Sequence, residues 1–160
     1  MTTHTSLTQC TLHKSERLTG RTLIEKLFAG GRSRSVVAFP LRVVYMKIGV
    51  AGDAAPVSIM VSVPKRCFKR AVKRNRVKRQ VREAFRLNKH LLNDAVDAAQ
   101  GTGLALAFIW LDDTLHDSDE VHRKVKTLLA RVAEKCTKEA VEEQQATEEI
   151  PMKSAKIEGE

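Results

Sequence analysis

Apolar positions along the chain follow two periods. In SERLTGRTLIEKLFAGG, Leu23, Ile24, Leu27 and Phe28 recur at helical spacing, Thr22 and Glu25 have capping-box spacing, and Gly30-Gly31 supplies a stop. A short amphipathic helix is predicted, whose apolar stripe must cover another layer. Val36 to Met46 (VVAFPLRVVYM) is β-rich, and Pro40 within it removes one ladder donor, which argues for an edge position or a bulge. After the turn-prone GVAGDAAP, Val57, Ile59, Val61 and Val63 alternate with Ser58, Met60 and Ser62. That alternation predicts a strand with one apolar face and one half-polar face suited to lining a groove. These two runs are expected to pair as a hairpin.

Pro64 ends the second strand and leads into another helix, on which Val77, Val81, Ala84 and Phe85 share an arc of about 80°. It should fade after Asn88 or continue brokenly through HLLNDAVDAA. Gly101 and Gly103 then precede LALAFIWL (Leu104 to Leu111), which is apolar on both faces and reads as a central strand with Trp110 at its end. From Asp117 to Lys135 a last helix is predicted, with Val121, Val125, Leu128, Leu129 and Val132 on one face. Acids occupy its first turn and Arg131 and Lys135 lie near its end, as the helix dipole prefers. The predicted order is α-β-β-α-β-α. A strand-helix-strand unit around Lys65 to Leu111 implies parallel neighbours in one sheet covered by helices, an α+β fold.

Composition adds boundaries. A chain of 160 residues with 42% hydrophobic content can build one sizeable core. Residues 1–14 are polar and Thr-rich and read as a flexible arm, residues 15–135 as the folded domain, and residues 136–160 as an acidic, disordered tail. From Lys135 onward there are seven acids against four lysines. No apolar run approaches 18 residues and no secretory signal is recognisable, so a cytoplasmic location is expected. Cys10, Cys67 and Cys136 have no metal-binding spacing and read as free thiols, and the five histidines are scattered. Nucleophile elbow, phosphate-binding glycine loop and HExxH motif are all missing from the sequence. Asp112, Asp113 and Asp117 read as a loop and a helix cap, which disfavours a self-contained protein nuclease.

Charge changes the picture most. Between Lys65 and Lys89 stand twelve basic residues against one acid, Glu83, a local net charge of +11 in a protein whose total is +9. On the second helix Asn75, Lys78, Arg79, Arg82, Arg86 and Lys89 occupy the arc beside the apolar one. Like charges four residues apart repel by a few tenths of a kcal/mol, about 0.2–0.5 per pair, unless a polyanion neutralises them. Membrane binding fits less well, because the apolar face is short and suited to a core. Zippers, zinc fingers and RNP aromatic pairs are absent from the sequence, so the common DNA and single-strand RNA modules are disfavoured. A structured RNA is the expected partner; a ribosomal or ribosome-assembly RNA-binding protein without a processing role is the alternative.

The run FKRAVKRNRVKRQVR, Phe68 to Arg82, resembles the signature of the protein subunit of bacterial ribonuclease P. It carries Ala71, Arg74-Asn75-Arg76, aliphatic Val77, Lys78-Arg79, aliphatic Val81 and Arg82 in order. KSERL with its following helix, the VSVPKR approach, and the late apolar strand and helix extend the resemblance over about residues 14 to 135. The resemblance implies a ribosomal protein S5 domain 2-like α/β sandwich, with a mixed sheet and a left-handed βαβ crossover. It implies a subunit of a holoenzyme that removes the 5′ leader of precursor tRNA, in which the RNA is the catalyst. Mg2+ would act with the RNA subunit, with no cofactor bound by the protein alone. Implied partners are the ribonuclease P RNA and precursor tRNA, without DNA or membrane. Lys65, Arg66, Lys69, Arg70, Arg74, Asn75, Arg76, Lys78, Arg79, Arg82 and Arg86 would meet the catalytic RNA. Ile24, Phe28, Phe39, Arg42 and Tyr45 would line a cleft for the leader.

Overall fold

Pro40 divides the first β-rich segment into two strands, and that division sets the topology. The computed structural model describes residues 14–49, 55–96 and 101–158. The expected N-terminal arm, apart from Lys14, and most of the GVAGDAAP turn lie outside these residues. In chain order the elements are α1 (Arg21–Ala29), β1 (Arg34–Ala38), β2 (Leu41–Gly49), β3 (Val57–Ser62), α2 (Ala71–Asn88), β4 (Thr102–Trp110) and α3 (Ser118–Glu158). A 3-10 turn, Lys14–Glu16, precedes α1, and a 3-10 helix, Lys89–Ala95, follows α2.

The strands form one sheet in the order β1-β2-β4-β3. Ala38 pairs with Leu41, so the hairpin turns through Phe39 and Pro40, whose peptide bond is cis. The expected hairpin between the two β-rich runs is therefore corrected. β2 pairs antiparallel with β1 and β4, while β3 pairs parallel with β4, which inserts between the two runs. Having both faces apolar suits β4 to this central place, and Gly103 through Phe108 are all buried.

Strand parity then separates two cores. On one face Val43, Tyr45, Ile59, Val61, Leu106 and Phe108 pack under α2 and α3, together with Val77, Val81, Phe85, Val125 and Leu129. Phe85 meets Phe108 edge-on at 6.3 Å. On the other face Val44, Met46, Ala105 and Ala107 pack with Leu18 and Leu27 under α1. Burying each large side chain contributes about 1.5–3 kcal/mol, which makes the sheet a rigid platform for both helical layers.

α1 departs from the capping-box expectation. It begins at Arg21 with Gly20 as N-cap, so Thr22 lies inside the first turn and Glu25 pairs instead with Arg21 at 3.1 Å. Its stop is as predicted: Gly30 takes the left-handed conformation, φ 85°. α3 runs to Glu158 instead of ending near Lys135. Two contacts explain its first added turn, since Cys136 is buried in the main core and Glu139 pairs with Arg34 at 2.7 Å. Glu, Gln, Ala and Lys, which favour helix, dominate the sequence just beyond. No helix among the described residues is long and apolar enough to cross a membrane.

Candidate nucleic-acid interface

Four buried residues on one side of α2, Val77, Val81, Ala84 and Phe85, force its cations to the other side. Arg76, Arg79 and Asn75 are exposed, while Lys78 and Arg82 are half-buried on the flank. Among the described residues no side-chain hydrogen bond or ion pair is formed by Arg76, Lys78, Arg79 or Arg82. Lys65, Arg66, Lys69 and Arg70 are exposed in the segment joining β3 to α2, as the sequence indicated. The result is a continuous cationic ridge anchored by an apolar spine.

Two of the named cations have other duties. Arg74 donates to the carbonyls of Phe68 at 2.8 Å and Lys69 at 2.9 Å, so its guanidinium ties down the junction that carries Lys69 and Arg70. Arg86 donates to Glu83, with Nε 3.0 Å from Oε2, and this bond holds the Glu83 carboxyl below its usual range. The duty of Arg74 is not signalled in the sequence, because it depends on where the helix begins, whereas Glu83 and Arg86 stand at i,i+3 spacing on the predicted helix. Gln80 carried no sequence signal either; its amide donates to the His116 carbonyl and the Ser118 hydroxyl, each at 3.1 Å, and fixes α2 against the start of α3.

The other face of the sheet holds a second exposed surface. Register places Val37, Arg42, Ile109 and Ser62 in one row across β1, β2, β4 and β3. This row lies at the sheet end marked by Leu41 and Trp110, beyond the pairs that α1 covers. Val37 and Arg42 are exposed, and Arg42 donates to Ser35 at 3.2 Å. Phe39 at the hairpin tip is 57% exposed and Phe28 on α1 is 48% exposed. Neither belongs to a core. On α1, Leu27 faces the sheet, Leu23 and Lys26 take one flank, and Ile24 and Phe28 take the other. Leu23 and Lys26 line a cavity with Met46–Gly49 at the far end of the sheet, and Ile24 and Phe28 lie on the flank of α1 away from that cavity.

Tyr45 is the correction here. It lies three residues from Arg42, an odd step along a strand, so it points to the opposite face. There it is 2% exposed, packed under α3, and burial pushes its hydroxyl up to about 12. Val37, absent from the predicted set, takes a place in the exposed row; its pairing with Arg42 was hidden until the turn was located at Pro40.

Beside the ridge, His116 is held between Asp112 at 2.7 Å and Glu120 at 3.0 Å and lies edge-on to Trp110. Burial opposes its protonation, but the two carboxylates outweigh burial and raise its pKa. The Thr114 hydroxyl, then His116 and local backbone amides, bring Asp112 down to about 2. Asp112 thus closes a loop, as read from sequence, and among the described residues no group of three His, Cys, Asp or Glu side chains gathers to hold a metal ion.

Both surfaces reach the same end of the sheet. β3 leaves the exposed row at Ser62 and passes through Val63 and Pro64 into Lys65 and Arg66, and Cys67 lies 3.8 Å from the Trp110 carbonyl. The chain matches the ribonuclease P family over residues 12–133. It is 49% identical over 122 residues to the ribonuclease P protein component of Porphyromonas gingivalis (strain ATCC 33277), covering 76% of this chain and 86% of that one. It is 34% identical over 105 residues to the ribonuclease P protein component of Chlorobaculum tepidum, covering 62% and 66%. Its fold resembles that of the RNase P protein from Thermotoga maritima with a TM-score of 0.55, at 24% identity, over 72% of this chain and 96% of that one. The chain belongs to the ribonuclease P protein component family.

Proposed function

We infer that this protein is the protein subunit of ribonuclease P, which assembles with the catalytic RNA and assists removal of the 5′ leader from precursor tRNA. The observation that carries this reading is the meeting of two unlike surfaces at one end of the sheet. One is a cationic ridge, suited to the fixed phosphate lattice of a folded RNA. The other is a row with an exposed aromatic at each side, suited to unpaired nucleotides.

In this reading Lys65, Arg66, Lys69, Arg70, Asn75, Arg76, Lys78, Arg79 and Arg82 contact the RNA subunit, and Arg74 and Arg86 shape the surface that does so. Their chemistry is neutralisation: guanidinium and ammonium groups lower the repulsion between two RNAs brought close together, in a region where Mg2+ would otherwise carry that load. Phe28 and Phe39 stack on leader bases, Ile24 and Val37 supply apolar walls, and Arg42 meets a leader phosphate. Stacking reads no sequence, so one cleft serves many leaders. Cleavage chemistry belongs to the RNA with its Mg2+, and the protein acts through binding and positioning.

Paired substitution tests the division of labour. Phe28→Ala with Phe39→Ala should weaken holoenzyme binding to leader-bearing tRNA by about 1–3 kcal/mol per stacked base and leave mature tRNA unaffected. Equal weakening for both tRNAs would contradict the assigned cleft.

A further inference from the structure

The β2 edge at the Gly49–Thr102 end of the sheet carries its own concentration of positive charge. β1 starts at Arg34, opposite Tyr45, so among the described residues Met46–Gly49 of β2 pair only with β4 and no strand lies on their outer edge. The Gly30–Ser33 loop passes this edge, and two cavities of about 660 and 650 Å³ open beside it. They share Gly31, Arg32, Met46 and Lys47, so they meet around the strand end. Lys26, Arg32, Arg34 and Lys47 line them, and among the described residues Glu139 of α3 is the one acid in either lining. Glu139 lies 2.7 Å from Arg34 and 3.9 Å from Lys47. Tyr45, 2% exposed, lines the same space, and its hydroxyl has no hydrogen-bond partner among the described residues. Two of the four cations, Arg34 and Lys47, thus face the Glu139 carboxylate, while Lys26 lies in the cavity that Glu139 does not line.

We propose that this groove binds an RNA phosphate backbone, and that Glu139 occupies part of it in the free protein as a built-in competitor. Charge selects a polyanion, and the two cavities join along the strand end through their shared residues. The groove is separated from the Leu41–Trp110 end by six residues of β2, roughly 20 Å at about 3.3 Å per residue. A single phosphate held at the Leu41–Trp110 end therefore cannot also sit in the groove. Glu139 lies past residue 133, where the family match ends.

The proposal rests on the ribonuclease P reading, and the test separates the two. Affinity of the full-length protein is measured against salt in two arms: binding to the ribonuclease P RNA alone, and binding of precursor tRNA to the assembled holoenzyme. Lys26→Gln with Arg32→Gln, both exposed, should flatten the log-log salt slope by about 0.7–0.9 for each phosphate that the groove no longer neutralises. The arm in which it flattens identifies which RNA enters the groove. Glu139→Gln should act in the opposite sense, tightening the same arm by about two- to fivefold, the range expected of an exposed ion pair. A merely structural Glu139 would produce no tightening. Arg76→Gln with Arg79→Gln serves as the ridge control. If it flattens the slope while the groove variants change neither arm, the groove proposal is overturned and the ridge reading stands. If the ridge control changes nothing either, both fall.

Discussion

Arg74 and Arg76 stand two residues apart in one motif and do different work. Arg74 commits its guanidinium to the Phe68 and Lys69 carbonyls, whereas Arg76 is exposed. Arg74→Ala should therefore cost stability, about 1.5–3 kcal/mol for hydrogen bonds to a charged group, read as a lower urea midpoint. Arg76→Ala should leave that midpoint within about 0.5 kcal/mol and instead reduce the salt slope of RNA binding by about 1. The reverse pattern would exchange the two roles. His116 supplies a pH test. Its folded pKa is raised, so its contribution is complete below the ordinary histidine value and lost as pH climbs through the raised one. Asp112 is depressed to about 2, so its contribution is present above the ordinary aspartate value and lost as pH falls toward 2. Stability plotted against pH should fall on both sides of the mildly acidic range, and His116→Gln should remove the alkaline fall. An unchanged alkaline limb in that variant would exclude His116 as its source.

At the scale of elements, α2 is a two-sided device: its apolar spine fixes the orientation in which the cations are held out. Phe85→Ala should cost about 3–5 kcal/mol and weaken RNA binding only through loss of fold, so affinity per folded molecule stays the same. Gly30→Ala isolates a different term. A Cβ at Gly30 would meet nothing within 4 Å, yet φ is +85°, so the expected cost of about 1 kcal/mol is backbone strain alone. A thermal melt shifted by much more would require a contact that the structure does not contain. Periodicity was enough to find α1, α2 and α3, the spine of α2 and the central strand, because each is a local pattern on one element. It could not show that β4 separates β2 from β3, since pairing across the sheet depends on chain that comes forty residues later. The site divides the same way. The ridge was legible because its charge is contiguous in sequence. The face of Tyr45 followed from parity with Arg42 and was missed because the resemblance grouped the two residues. Val37 and the duties of Arg74 needed the turn and the helix start to be placed.

For the whole molecule, the two cores give the sheet two differently used faces, with the ridge on the α2 side and the exposed aromatic row on the α1 side. They converge at the Leu41–Trp110 end, and in the proposed reading this brings a folded RNA and a single strand to one place. The central claim is that this protein assists an RNA catalyst. Its most direct test is cleavage of precursor tRNA at low Mg2+ by the protein alone, the ribonuclease P RNA alone, and the two together. The account predicts site-specific removal of the leader only in the combined reaction. Cleavage by the purified protein, or no stimulation of the RNA at any Mg2+ concentration, would contradict it.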